Sequence, residues 1–383
     1  MLEGRGDSPQ LALDNLDPER ITLAREMRCL TKIELAEKIG KTPSAISQIE
    51  RNKIKPDIET FVRMSLVLGV PTTFFMLRGK EYKPIDLASC HFRAKRKTSQ
   101  IKKRQSARKG ELLVDLIEFF EGNGVLFPED NVSPFSYEIH SSDDIETAAS
   151  SLRKDWGMGY GPIPNIIRLV ESKGVTALPL YFDCEDVDAY STWKNGRPCM
   201  MLSLSKSASR ARVDVAHELA HLILHEDYAP GDSKIEAEAY RFGTAFLAPR
   251  ESFLSECPRR WNLEVFMKLK FRWKMSIQAL VRRAKDLGRL PPSSYRKAFI
   301  DLTHLGMRKN EGDEWEREVP SLISQAIDLL KDKITLEDIA NALTLYPAEA
   351  ATLLKQSING DLLAAINRKA KSNSNKIVTL AQH

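Results

Sequence analysis

The chain has 383 residues, 42% of them hydrophobic and 28% charged, with a formal net charge of +5. That length allows two or three domains, and that balance excludes a disordered or fibrous chain. No run approaches the roughly 18 apolar residues of a membrane span, and residues 1–10 hold no apolar stretch, so no secretory signal is expected.

Residues 1–15 read as a loose leader. Residues 17–77 follow a helical pattern and are expected to form the first domain. Within it, Thr31-Lys32-Ile33-Glu34 fits a capping box, and Leu35, Ala36 and Ile39 recur at helical spacing until Gly40. Thr42 then caps a second helix with Pro43 at its first position, where a missing N–H costs nothing. Ile46 and Ile49 turn inward and leave Ser44, Ser47, Gln48 and Arg51 on the other faces. Two short helices joined by a Gly-containing turn are the helix-turn-helix layout, whose second helix fits the major groove of DNA. A bundle that serves only for dimerisation is the alternative.

Residues 78–136 are expected to be a basic helical connector, with an amphipathic helix over 111–121. Between residues 93 and 109 there are nine Lys or Arg and no acid, which leaves −4 for the rest of the chain. Arg93, Lys95, Arg96, Lys97, Lys102, Lys103, Arg104, Arg108 and Lys109 suit either phosphate neutralisation or a solvated helix face.

Residues 137–258 are mixed. Helices are expected over 142–156 and 164–173, strands over 175–182, 187–193 and 198–204, and helices over 209–225 and 234–246. Asn195-Gly196 between the last two strands is a strong hairpin signal. The hairpin would offer a sheet edge to an extended peptide. Residues 259–310 read as a basic helical segment of helix-turn-helix character, with Glu264 and Asp286 the only acids over 259–289. Residues 311–368 read as a helical C-terminal domain, its stretch 334–354 acidic enough to pack on protein, and 369–383 as a flexible tail. The five cysteines are scattered without a Cys-x-x-Cys pair, which suits a reducing cytoplasm.

The sharpest signal is His217-Glu218-Leu219-Ala220-His221 in an apolar helix. Histidines four apart share a helix face and can point two imidazoles at one ion. Glu218, beside the first, is placed to take a proton from an attacking water. A third ligand is expected from the next helix, where Glu236 shares the buried stripe of Ala239, Phe242, Ala245 and Phe246 and Glu238 does not. His225 reads as a supporting or helix-end histidine rather than a ligand. Core or solvent-facing histidines are the bland alternative.

Two resemblances follow. Leu35-Ala36-Glu37-Lys38-Ile39-Gly40, Ile46-Ser47-Gln48-Ile49-Glu50-Arg51-Asn52-Lys53, Pro56 and Leu68-Gly69-Val70 resemble the XRE (Cro-type) helix-turn-helix family, with Lys32 where that family often has Gln. The resemblance implies phosphate contacts from Thr42 and Arg51, and bases faced by Pro43, Ser44 and Gln48. Trp156-Gly157, Gly161-Pro162-Ile163, Val187-Asp188-Ala189, Gly196-Arg197-Pro198, the His217–His221 motif and Glu236-Ala237-Glu238-Ala239 followed by Leu247-Ala248-Pro249 resemble the ImmA/IrrE zinc metallopeptidases. That resemblance implies His217, His221 and Glu236 as zinc ligands and Glu218 as catalytic acid/base. The family usually has Gly at Ala220, Asn or Asp at Tyr240, and Ala at Gly243.

The expected architecture is therefore multidomain and mainly α, with one α+β domain. It comprises an N-terminal helix-turn-helix bundle, a zincin-like α+β peptidase domain with a small sheet, and an all-α C-terminal region. The expected function is a cytoplasmic DNA-binding transcriptional regulator with a Zn2+-dependent endopeptidase that cuts a repressor-like protein. It would act as a homodimer on a double-stranded operator, away from membranes. The alternatives are a non-proteolytic zinc-binding sensor and a toxin–antitoxin or phage-defence component.

Overall fold

The computed structural model describes residues 8–76, 84–87, 90–94, 98–133, 139–180, 186–225, 231–367 and 378–379. Lys95, Arg96, Lys97, the end of the first expected strand at 181–182 and nearly all of the expected tail lie outside them. The described residues form eighteen helices and a small four-stranded sheet, the mainly helical architecture expected. None of these helices is long and apolar enough to cross a membrane.

The first five helices are α1 (Pro9–Asp14), α2 (Pro18–Met27), α3 (Lys32–Ile39), α4 (Pro43–Glu50) and α5 (Ile58–Leu68). Each boundary has a local cause. Thr31 and Glu34 cap α3 reciprocally, and Gly40 closes it at a φ of 69°. The Thr42 hydroxyl accepts from the Ala45 N–H at 3.2 Å and starts α4. Leu35, Ile46 and Phe61 are fully buried between these helices. Arg25 of α2 clamps Glu50 of α4 at 2.6 Å, with both side chains almost fully buried, and Lys32 adds a contact at 3.1 Å.

The connector contains a strand, β1 (His91–Ala94), before α6 (Gln100–Gly122) and the short β2 (Val125–Leu126). Helix α6 begins well before the expected residue 111, because its basic half is tied to neighbours. Arg108 meets Glu26 at 2.8 Å and Glu111 at 2.5 Å, and Lys102 meets Asp186.

Next come α7 (Ser142–Asp155), α8 (Ile166–Ser172), β3 (Thr176–Pro179), β4 (Val187–Lys194) and β5 (Arg197–Leu202). The β4–β5 hairpin turns at Asn195 and Gly196, both at positive φ as a tight two-residue turn requires. The sheet order is β1-β4-β5-β3, with β3 parallel to β5 and β1 antiparallel to β4. His91 lies opposite Ser191, Phe92 opposite Tyr190 and Arg93 opposite Ala189. Both strands of the hairpin expected to offer a sheet edge are therefore paired, β4 with the connector's β1 and β5 with β3.

Helix α9 (Ala208–Leu224) packs on the sheet and α10 (Ser233–Leu247) packs on α9 and α7, followed by α11 (Arg250–Glu256), α12 (Leu263–Trp273), α13 (Ile277–Asp286) and α14 (Pro292–His304). Residues from Val132 to Leu302, including Phe253, Trp273 and Leu280, share one hydrophobic core. Several bases of the 259–289 stretch are internal. Arg283 is fully buried against Glu146, and Lys270 meets Glu314 at 3.0 Å.

The last helices, α15 (Leu322–Leu330), α16 (Leu336–Leu343), α17 (Pro347–Leu354) and α18 (Gly360–Ile366), return to the N-terminal core. Ile327, Ile339 and Leu354 join the cluster that holds Leu35, Phe61 and Leu116. Arg28, which caps the end of α2, pairs with Glu349 at 3.1 Å. A final strand, β6 (Val378–Thr379), pairs with β2.

Candidate functional site

Helix α9 is buried along almost its whole length, so its histidines lie inside the molecule. His217 and His221 are one turn apart, and their Nε2 atoms are 3.0 Å apart. Glu236, in the first turn of α10, places Oε2 3.2 Å from His217 Nε2 and Oε1 3.5 Å from His221 Nε2. Zinc with four ligands at about 2.0–2.1 Å has ligand–ligand edges of about 3.3 Å. The separation of the two imidazole nitrogens is close to that edge, and the Glu236 carboxylate reaches each of them through a different oxygen, so the three residues are near enough to converge on one ion.

The closeness of α10 to α9 depends on Gly243. A Cβ there would lie 3.0 Å from the backbone carbon of Ala216 and the nitrogen of His217.

The tautomer of His221 follows from its neighbours. Glu238 accepts from His225 Nε2 at 3.3 Å, so His225 Nδ1 carries the lone pair and accepts from His221 Nδ1 at 3.1 Å. The lone pair of His221 then falls on Nε2, the atom that faces His217 and Glu236. Sequence reasoning set Glu238 aside as a ligand and missed this supporting place. Burial holds His217 and His221 below the usual imidazole range and His225 down to about 4. Neutral imidazole is the ligating form. Burial works against the Glu236 carboxylate, yet the hydrogen bond with His217 keeps it below its usual value.

Glu218 is fully buried. Its Oε2 accepts from the Ser191 hydroxyl at 2.7 Å, and its Oε1 has no partner among the described residues. Burial pushes this carboxyl up to about 8, against the opposing hydrogen bond. Ser191 stands on β4, and no local motif marks it.

Two further residues come from β1. Arg93 pairs with Asp214 of α9 at 2.8 Å and lines a cleft of about 640 Å³ with His217, Glu236 and Tyr240. His91 stacks on His221 with ring centroids 4.1 Å apart and planes 14° apart. Neither could be found from spacing, because both lie more than a hundred residues before α9. Tyr240 is half-buried, and Arg282 lies 4.8 Å over its ring.

In the N-terminal domain, Thr42, Pro43, Ser44, Gln48 and Arg51 are all exposed along α4 and its ends. Ser47 is half-buried and accepts from Lys32 Nζ at 3.1 Å. Lys32 therefore ties α3 to α4 through Ser47 and Glu50.

Residues 170–285 match the family model described as the IrrE N-terminal-like domain, a peptidase family. Residues 21–75 match the helix-turn-helix family model. No curated protein matches the chain. The peptidase match contains α9 and α10 but not β1.

Proposed function

We propose that this chain, which joins a helix-turn-helix DNA-binding domain to an IrrE-type peptidase domain, is a cytoplasmic transcriptional regulator and zinc-dependent endopeptidase. Its substrate would be a repressor or another regulatory protein. The carrying observation is the convergence of His217, His221 and Glu236 donors within 3.5 Å, with Glu218 on the same helix. These three residues would hold zinc, which supplies Lewis-acid activation of water and of a peptide carbonyl. Glu218 would accept the proton of the attacking water at Oε1 and pass it to the leaving amine. Ser191 fixes the other oxygen and so orients the carboxyl. On DNA, Thr42 and Arg51 would meet phosphates while Pro43, Ser44 and Gln48 face bases, with a homodimer spanning paired half-sites. The domain limits proposed are 17–77, 78–136, 137–258, 259–310 and 311–368.

The test is metal analysis of the purified full chain with a cleavage assay against candidate repressors. Wild type is expected to hold zinc and cut. Glu218→Gln is expected to keep zinc and DNA binding and lose cleavage. A wild-type chain that takes up no zinc overturns the proposal. A non-proteolytic zinc sensor is the second reading, favoured by the strand that covers the edge of β4. Regulatory output that survives Glu218→Gln with zinc retained would establish it.

A further inference from the structure

The geometry points to His91 as a fourth ligand of the same centre, so that β1 caps the metal in this conformation and must leave before a peptide enters. We infer this on the basis of the metal-centre reading above, and it concerns a residue outside the matched peptidase span.

His91 is buried, and it offers a ligating atom within 4.8 Å of those of His221 and Glu236. Its Nε2 lies 3.2 Å from the carbonyl oxygen of His225. A carbonyl only accepts, so Nε2 carries the hydrogen and Nδ1 carries the lone pair. That Nδ1 is buried and has no hydrogen-bond partner among the described residues. One ring nitrogen held by a backbone carbonyl and the other left with a free lone pair is the arrangement of a ligating histidine.

His217, His221 and Glu236 would take three corners of a tetrahedron. Closed zinc sites have four protein ligands, whereas catalytic sites leave one position open. His91 supplies the missing corner. The stack on His221, with planes 14° apart, holds the two lone pairs in parallel planes, so binding requires the His91 ring to swing out of that stack toward the ion.

The same strand blocks the peptide path. β1 runs antiparallel along β4, where an extended substrate would add. Arg93 pins it to the metal helix through Asp214. Four connector residues thus close both the sheet edge and the ion.

The test uses the full chain, freed of metal and loaded with Zn2+ or Co2+ alone. His91→Phe keeps a ring stacked on His221 and removes the donor, and His91→Ala is the second variant. Zn2+ affinity is measured by competition with a coloured chelator, and circular dichroism checks folding. The visible spectrum of the Co2+ form is recorded with and without acetohydroxamate, a small ligand for an open position. The wild-type spectrum is expected to be four-coordinate and unmoved by acetohydroxamate. Both variants are expected to bind Zn2+ at least ~10-fold more weakly and to respond to acetohydroxamate. Equal affinity in all three proteins, or a wild-type spectrum that moves with acetohydroxamate, overturns the inference and leaves the peptidase reading standing. A loss of cleavage in His91→Phe at unchanged Zn2+ affinity also overturns it, because His91 would then act on substrate. Failure of wild type to bind either ion fells the metal-centre reading itself. The wild-type arm needs no variant to fold.

Discussion

Helix α4 presents Pro43, Ser44 and Gln48 to solvent from a frame built within a few dozen residues of chain, by the α3 cap, Gly40 and the Arg25–Glu50 clamp. His217 and Glu236 instead line a cleft whose walls come from β1, the start of α7, α9, α10 and α13, with His221 and Glu218 buried behind them. The exposed face is locally specified, so a change to one contact there should stay one contact. The buried centre is assembled over long range, so a change there should propagate into metal affinity, cleft shape and chemistry together.

The largest effect that sharpens this contrast is Glu218→Gln. Peptide hydrolysis should fall by about 10²–10⁴-fold while operator binding and zinc content stay at wild-type levels. Steady-state cleavage beside metal analysis measures both. Nearly as large, Glu50→Ala leaves the Arg25 guanidinium buried without its carboxylate. It should destabilise the N-terminal domain by about 3–5 kcal/mol in denaturant melts and abolish DNA binding. Unchanged zinc affinity in the same sample would keep the two regions distinct, and a parallel loss would break the comparison.

Gly243→Val forces a side chain against the His217 backbone. It should cost about 1–3 kcal/mol of stability and weaken zinc binding, read by thermal melts and chelator competition.

A pH effect tests the join between the regions. Glu171 of α8 accepts from the backbone N–H of Ser321 at 2.7 Å and from its hydroxyl at 2.6 Å, and so holds the start of α15. Burial pushes its carboxyl up to about 7. The folded chain therefore keeps a proton that the unfolded chain has lost between roughly pH 4.5 and 7, and stability falls as pH rises through that window. Wild type should lose about 1–3 kcal/mol relative to Glu171→Gln from pH 5 to pH 8 in paired melts. The smallest effect belongs to the exposed face: Arg51→Ala should weaken DNA binding evenly across sequences and lower the salt slope by about one.

Local signals carried the sequence reading a long way. The Thr31–Glu34 box, the Thr42-Pro43 start and the Asn195-Gly196 turn all lie within one helix or turn. There, a period of 3.6 residues or a single dihedral decides the outcome. Charge counting carried less. The bases of 93–109 read as phosphate-neutralising or solvated and those of 259–289 as a basic helix-turn-helix-like segment, yet Arg108, Lys270 and Arg283 are spent on Glu26, Glu314 and Glu146 inside the fold. Composition records how many charges a segment has and not which acid from elsewhere meets them.

By itself, then, the amino-acid order determined the helices, their caps and the pair of imidazoles on one face, because backbone hydrogen bonds and side-chain spacing act over a few residues. Only the tertiary structure decided that β1 takes the edge of β4, that Ser191 meets Glu218 and that His91 lies against His221. Strand pairing and side-chain stacking between segments a hundred residues apart are settled by packing of the whole chain, and no local period encodes them.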